Sequence, residues 1–322
     1  MRMSSDYQLK YYNSIEAKEI SWLWYPYIPY GKITIVQGDP GEGKTTLMLE
    51  IAAILTKGES IISGMSVHSP TSVLFQTTED SHEDTIKPRL LKAGADCSKI
   101  AFIDTLDESP LNIADERFYD AIMEISAKLL VIDPYQGFIH QGGDVQKPGF
   151  LRGSLARLSK IAENTGCAIV LIGHMNKSNS GKGIYRGLGS IDITAAARSV
   201  LLVARDPTNS NRRIILPIKS NLAPEGRAYS FILDPDSGFQ WGEECDYTAE
   251  ELLRQGYGSD TKIKTAKEII SVLLDKGDLP SNELYSNLKE KGISKRTAGT
   301  ARKELPINVY RKDNMWYWRL LK

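Results

Sequence analysis

The stretch Gly38–Thr46 reads GDPGEGKTT, and Gly38, Gly43, Lys44 and Thr45 satisfy the spacing G-x-x-x-x-G-K-[ST]. It follows the apolar run Lys32–Gln37 and precedes residues 45–56, where Leu47, Ile51, Ile54 and Leu55 recur at helical spacing. A chain with a strand, a glycine-rich turn and a helix in that order has little choice of fold class. The turn must wrap a polyphosphate with its N–H groups, which needs residues without Cβ atoms, and the strand must be a buried one of an α/β sheet. Gly38, Pro40, Gly41, Gly43, Lys44, Thr45 and Thr46 are the candidate phosphate-binding residues. Lys44 would reach the β- and γ-phosphates, and Thr45 would ligate Mg²⁺.

With 322 residues the chain exceeds one ordinary domain. Lys+Arg and Asp+Glu both number 40, but residues 261–322 hold 14 basic and 7 acidic side chains, so any polyanion is expected to meet the C-terminal part. No run of about 18 apolar residues exists, and Met1–Lys10 lacks the apolar core of a signal peptide. A cytoplasmic protein without membrane contact is the expectation. Cys97, Cys167 and Cys245 are far apart and predict neither a disulfide nor a zinc site.

Residues 1–30 are rich in Trp and Tyr, with Pro26 and Pro29 excluding a helix. One ring could stack on adenine; burial against the core is the preferred reading. The apolar run Ser72–Thr78 ends at Glu79 and Asp80. Ligands of doubly wound sheets bind at the carboxyl ends of strands, so Glu79 is placed to polarise a water attacking a γ-phosphate, and Asp80 to cap the following helix. Leu129–Asp133 is a second apolar run ending in a carboxylate, suited to the shell of Mg²⁺. Residues 135–149 read as a loop, which could touch DNA or only connect. Ala168–Gly173 delivers His174, Asn176 and Lys177 to the same sheet edge, where His174 could sense the γ-phosphate. The glycine-rich basic stretch 177–189, with Lys182 and Arg186, reads as a phosphodiester-following loop or a solvated linker. Arg198 precedes the strand Ser199–Val203, and 212–220 and 228–234 alternate as a meander, with Lys219 near the end of its first strand.

In this order the P-loop, Glu79 and Asp80 with Arg89, Asp133, His174, Arg198 and Lys219 resemble RecA-like ring ATPases, most closely the plasmid replicative helicase RepA family, over about Trp22–Gln240. The resemblance implies a RecA-like P-loop core, a mostly parallel sheet flanked by helices. It also implies ATP and Mg²⁺ as cofactors and a homo-oligomer, a hexameric ring, with nucleotide at each subunit boundary. By position Glu79 matches the catalytic glutamate, Asp133 the Walker B aspartate, His174 the sensor and Arg198 an arginine finger acting in trans. Arg89 and Lys219 match basic positions and are carried as nucleotide-binding candidates. The alternative for all three cations is surface salt-bridging.

The chain is expected to divide into a core at 1–246, a linker at 247–262 and a small domain at 263–322. In the last, three helices, the second and third capped by Ser281 and Ser294, precede a hairpin turning at Asp313-Asn314, the plan of a winged helix. Its third helix would present Lys295, Arg296, Thr297, Arg302 and Lys303 to DNA, with Arg311 and Lys312 near the wing. Docking of protein is the alternative, and Trp316 and Trp318 could be core rather than contacts. The whole predicts an ATP-hydrolysing DNA motor or helicase, with single-stranded DNA in the ring and duplex at the winged helix. An ATP-switched regulator or loader is the competing reading.

Overall fold

A computed structural model describes residues 9–62, 69–105, 110–139, 150–175, 191–234, 237–255, 258–275, 277–313 and 315–320. The chain falls into two compact units, one of residues 1–204 and 210–247, the other of 205–209 and 248–322.

In the first unit a short hairpin, β1 (Trp22–Trp24) and β2 (Ile28–Pro29), leads into β3 (Ile33–Gly38) and α1 (Lys44–Lys57). Next come β4 (Val73–Thr77), α2 (Lys87–Lys92), β5 (Ile100–Ala101), α3 (Arg117–Ile125), β6 (Leu129–Asp133), α4 (Tyr135–Ile139), α5 (Phe150–Thr165) and β7 (Ala168–His174). After α6 (Ile191–Ala196) the unit closes with β8 (Ser199–Arg205), β9 (Arg212–Ser220), β10 (Ala228–Asp234) and β11 (Gly238–Cys245). The strands form a nine-stranded sheet in the order β11-β10-β9-β8-β3-β7-β6-β4-β5. From β8 to β5 the paired strands are parallel, while β9, β10 and β11 pair antiparallel at one side.

The parallel strands are apolar on both faces because both are covered. Successive residues feed opposite layers: Val36, Phe75, Val131 and Val170 join one core cluster with Leu47 and Ile51 of α1. Ile35, Leu74, Ile132 and Ile169 join the other with Leu155 and Leu158 of α5. This is the expected α/β architecture. The aromatic N-terminal stretch belongs to the first layer, where Trp24 packs 5.6 Å edge-on from Trp241 and the Tyr27 hydroxyl donates to the Arg227 carbonyl at 2.8 Å.

The second unit holds α7 (Ala249–Gln255), α8 (Gly258–Asp275), β12 (Leu279–Pro280), α9 (Ser281–Glu290), α10 (Lys295–Lys303), β13 (Ile307–Lys312) and β14 (Met315–Leu320). Its sheet runs β12-β14-β13, and its core gathers Ile270, Leu284, Leu288, Ala298 and Trp318.

Four local readings change. The stretch 247–262, expected to be a linker, carries α7 and the start of α8, since Glu250, Glu251, Leu252 and Leu253 are good helix formers. Residues 135–139, expected in a loop, form α4, with Tyr135 and Phe138 buried. Asp80 is not the cap: the Ser81 side chain accepts from Asp84 N–H, and Asp80 pairs instead with Arg89. Ser281 is the first residue of α9 and makes no cap bond, whereas Ser294 accepts from Thr297 N–H at 3.2 Å as expected. The loop readings at 140–149 and 177–189, and Asn176, lie outside the described residues.

Candidate functional site

Parallel pairing aligns the strand ends. Gly38 of β3 is opposite His174 of β7, and Thr77 of β4 is opposite Asp133 of β6. The phosphate loop, Glu79, Asp133 and His174 therefore share one sheet edge, the carboxyl edge that doubly wound sheets use for ligands.

The loop's shape is fixed from beneath. A Cβ on Gly38 would sit 2.1 Å from the Val203 carbonyl oxygen of the neighbouring strand, so the close approach of β3 to β8 requires glycine. Gly43 has φ +86°, and a Cβ there would fall 2.3 Å from Leu233 Cδ1. Glu42 is held by Arg213 of β9, with Nε 3.1 Å from Oε2 and side-chain exposures of 14% and 9%. Sequence reasoning missed this pair, which joins residues 171 positions apart and belongs to no motif. Pro40 and Gly41 are exposed on the loop, and Thr46 lies half-buried in the first turn of α1.

Lys44 is buried, and its ammonium donates to the Gly38 and Asp39 carbonyls at 2.9 and 2.8 Å. Burial pulls its pKa below the ordinary lysine value, and Asp133 and Asp39 oppose that shift. Thr45 Oγ1 donates to Asp133 Oδ2 at 2.6 Å. Burial pushes the Asp133 carboxyl up to about 6, against the Thr45 hydrogen bond, with Asp80 adding to the rise. A hydroxyl and a carboxylate in contact, beside a loop carrying a buried lysine, is a donor set that fits Mg²⁺ and a polyphosphate. Mg²⁺ usually takes one or two protein oxygens and completes its shell with water and phosphate. The described residues contain no group of three or more His, Cys, Asp and Glu able to hold a metal alone. Thr45 and Asp133 would hold the ion, and Lys44 with the loop N–H groups would hold the phosphates.

Glu79 is largely exposed, with Oε2 3.7 Å from His174 Nε2. The backbone N–H groups of Glu79 and Asp80 lie 3.3 and 3.4 Å from Thr77 Oγ1, which fixes the turn that lifts the carboxylate off the strand. The buried Nδ1 of His174 finds no hydrogen-bond partner among the described residues. Gln136 Nε2 donates to the His174 carbonyl at 3.4 Å, tying α4 to the end of β7. Arg89 Nη1 is 3.2 Å from Asp80 Oδ2, an exposed ion pair with the residue that follows Glu79.

Arg198 and Lys219 are not brought to this edge. Arg198 N–H donates to Ile33 O at the start of β3, and Arg198 O accepts from Asn221 N–H, so both cations lie where the parallel strands begin. Arg198 is exposed. Lys219 Nζ donates to the Thr194 and Ala197 carbonyls at 2.7 and 2.8 Å, closing the C-terminal end of α6. Within one chain Lys219 is thus not a ligand of the phosphate loop: its strand runs from that loop toward the opposite edge.

In the second unit Lys295, Arg296, Lys303, Arg311 and Lys312 are exposed. Two other candidates have internal work. The Thr297 hydroxyl lies 2.9 Å from Ser294 Oγ in the α10 cap, and the Arg302 guanidinium stacks 5.4 Å from the centre of the Trp318 ring. Lys295 Nζ also lies 5.4 Å over Tyr285. No helix among the described residues is long and apolar enough to cross a membrane.

Two curated relatives match over 153 residues, 47% of this chain and 29% of each relative. They are the DNA repair protein RadA of Bacillus subtilis (strain 168), 31% identical, and the DNA repair protein RadA of Halalkalibacterium halodurans, 29% identical. The match thus spans under a third of the length of these relatives. Among solved structures, a KaiC-like protein from Pyrococcus horikoshii OT3 aligns with 22% identity and a TM-score of 0.46, over 67% of this chain and 91% of that one. Residues 6–180, more than half of the chain and the part that carries the phosphate loop, Glu79, Asp133 and His174, match the family described as AAA domain, and the chain belongs to that family.

Proposed function

We propose that the protein is a Mg²⁺-dependent ATPase that binds DNA, a RecA-like motor of the RepA helicase type working in replication or repair. The observation that carries the reading is the 2.6 Å contact between Thr45 and Asp133, with Glu79 and His174 on the same sheet edge. ATP with Mg²⁺ supplies the phosphoryl group to be transferred. Lys44 and the loop N–H groups neutralise phosphate charge, Glu79 orients and deprotonates the attacking water, and His174 senses the γ-phosphate through its contact with Glu79. The relatives named as DNA repair proteins support action on DNA.

The exposed Arg198 lies at the far edge of the sheet from Lys44, which supports a role across a subunit boundary in a ring of identical subunits. The second unit serves as a winged helix that recruits DNA through α10 and the β13–β14 hairpin. The tests are ATPase turnover with and without single-stranded DNA, sizing with ATP, and unwinding of a forked duplex. Lys44→Ala should abolish turnover, and surviving activity would sink the ATPase reading. Arg198→Ala mixed with Glu79→Gln should recover part of the activity that each lacks alone; no recovery would count against a trans finger. DNA-stimulated turnover without unwinding would favour an ATP-switched regulator or loader.

A further inference from the structure

The β13–β14 hairpin carries one row of facing residues on the side that packs against the helices: Ile307 opposite Leu320, Val309 opposite Trp318, and Arg311 opposite Trp316. The first two pairs belong to the core, where Trp318 is 1% exposed. The third continues the same row beyond it, and Trp316 is 55% exposed. Every other described aromatic of this unit has a ring or cation partner: Trp318 with Tyr285 and Arg302, and Tyr310 with Tyr317 and Arg319. Trp316 has neither among the described residues. Single exposed apolar side chains are ordinary on protein surfaces. This one differs in its setting, because it faces Arg311, and its neighbour Met315, itself 44% exposed, faces Lys312. Asp313, at φ +47° in the turn, is the single acidic side chain at the tip among the described residues.

An indole without a ring or cation partner among the described residues, with Arg311 opposite it on its own face and Lys312 on the other face of the same turn, is the composition of a site that holds a base by its face and the adjoining backbone by charge. We propose that Trp316 is a stacking platform for an unpaired nucleobase, with Arg311 contacting the adjoining phosphate on the same face and Lys312 a phosphate where the strand passes the other side of the turn. Stacking tolerates any base but needs an open face, so the tip favours single-stranded over duplex DNA. The proposal rests on the DNA-binding reading and adds to it a residue, a contact type and a strand preference.

The test uses the full chain and a fluorescein-labelled oligo(dT) 20-mer, with a blunt duplex of the same length as comparison. Trp316→Ala should weaken oligo(dT) binding about 5- to 100-fold, Trp316→Phe should retain most of the affinity, and the slope of log K against log salt should stay unchanged. Lys312→Ala should lower that slope by about 0.7. A single 2-aminopurine in the oligonucleotide should be quenched by the wild type and not by Trp316→Ala. Unaltered affinity and quenching in Trp316→Ala, while Arg296→Ala or Lys303→Ala loses affinity, would overturn the stacking site and leave DNA binding standing. If the wild type binds neither oligonucleotide, the DNA-binding reading falls and the stacking site with it.

Discussion

Arg213 of β9 holds Glu42 of the phosphate loop through a 3.1 Å contact with both side chains nearly buried. The same guanidinium donates Nη1 to the Ser210 carbonyl at 2.6 Å, so an antiparallel strand anchors the loop that the parallel strands present. Removing one partner strands the other charge away from water. Glu42→Gln should therefore destabilise the first unit by about 3 kcal/mol and weaken nucleotide binding more than turnover at saturation. Thermal melts and a KM–kcat comparison check it; an unchanged Tm would show the pair to be dispensable.

Gly38 and Gly41 should respond unequally to alanine. At Gly38 the added Cβ meets a main-chain oxygen at 2.1 Å, and β8 cannot retreat without disturbing the sheet. At Gly41 nothing lies within 4 Å, and only the φ of +78° opposes a side chain, at about 1–2 kcal/mol. The larger loss of Tm is expected for Gly38→Ala. The reverse order would mean that the loop relaxes away from Val203.

Glu79→Gln should keep nucleotide binding and reduce turnover by about 10²-fold or more, the usual size of a lost general base. Isothermal titration with a non-hydrolysable ATP analogue, beside a phosphate-release assay, separates the two. Parallel loss of binding and turnover would make Glu79 a ligand rather than a base.

Asp278 in the second unit accepts a bifurcated hydrogen bond from Arg319 Nε at 2.9 and 3.0 Å, a second from Arg319 Nη2 and one from the Tyr310 hydroxyl, and Arg319 holds its carboxyl at about 2. The folded-state pKa lies below the unfolded value of about 3.9, so the stabilisation is complete above the unfolded value and is lost as pH falls toward 2. Asp278→Asn should lower the Tm of this unit at pH 7 and converge with the wild type near pH 2. A pH-independent difference between the two would contradict the ion pair as its cause.

Lys219→Met leaves two carbonyls at the end of α6 without their donor and should cost about 1–3 kcal/mol. Differential scanning calorimetry reads this directly. An unchanged melt with loss of ATP turnover would move Lys219 from the helix end to a neighbour's nucleotide.

Sequence by itself determined the strand–loop–helix at Gly38–Thr46 and the apolar strands ending at Thr77, Asp133 and His174, because buried parallel strands are continuous apolar runs and phosphate loops tolerate few residue types. The Ser294 cap was legible for the same reason, since its partner lies three residues away. Only the tertiary structure decided the rest, wherever the deciding neighbour is distant in the chain. The Glu42–Arg213 anchor is one such case, and the burial of Trp318 beside the exposure of Trp316 is another. Lys219 shows the same limit, because a charge in a strand can be placed along the sequence while its direction depends on which way that strand runs. The order β8-β3-β7-β6-β4 then sets which cations stand at the phosphate edge and which stand at the opposite edge.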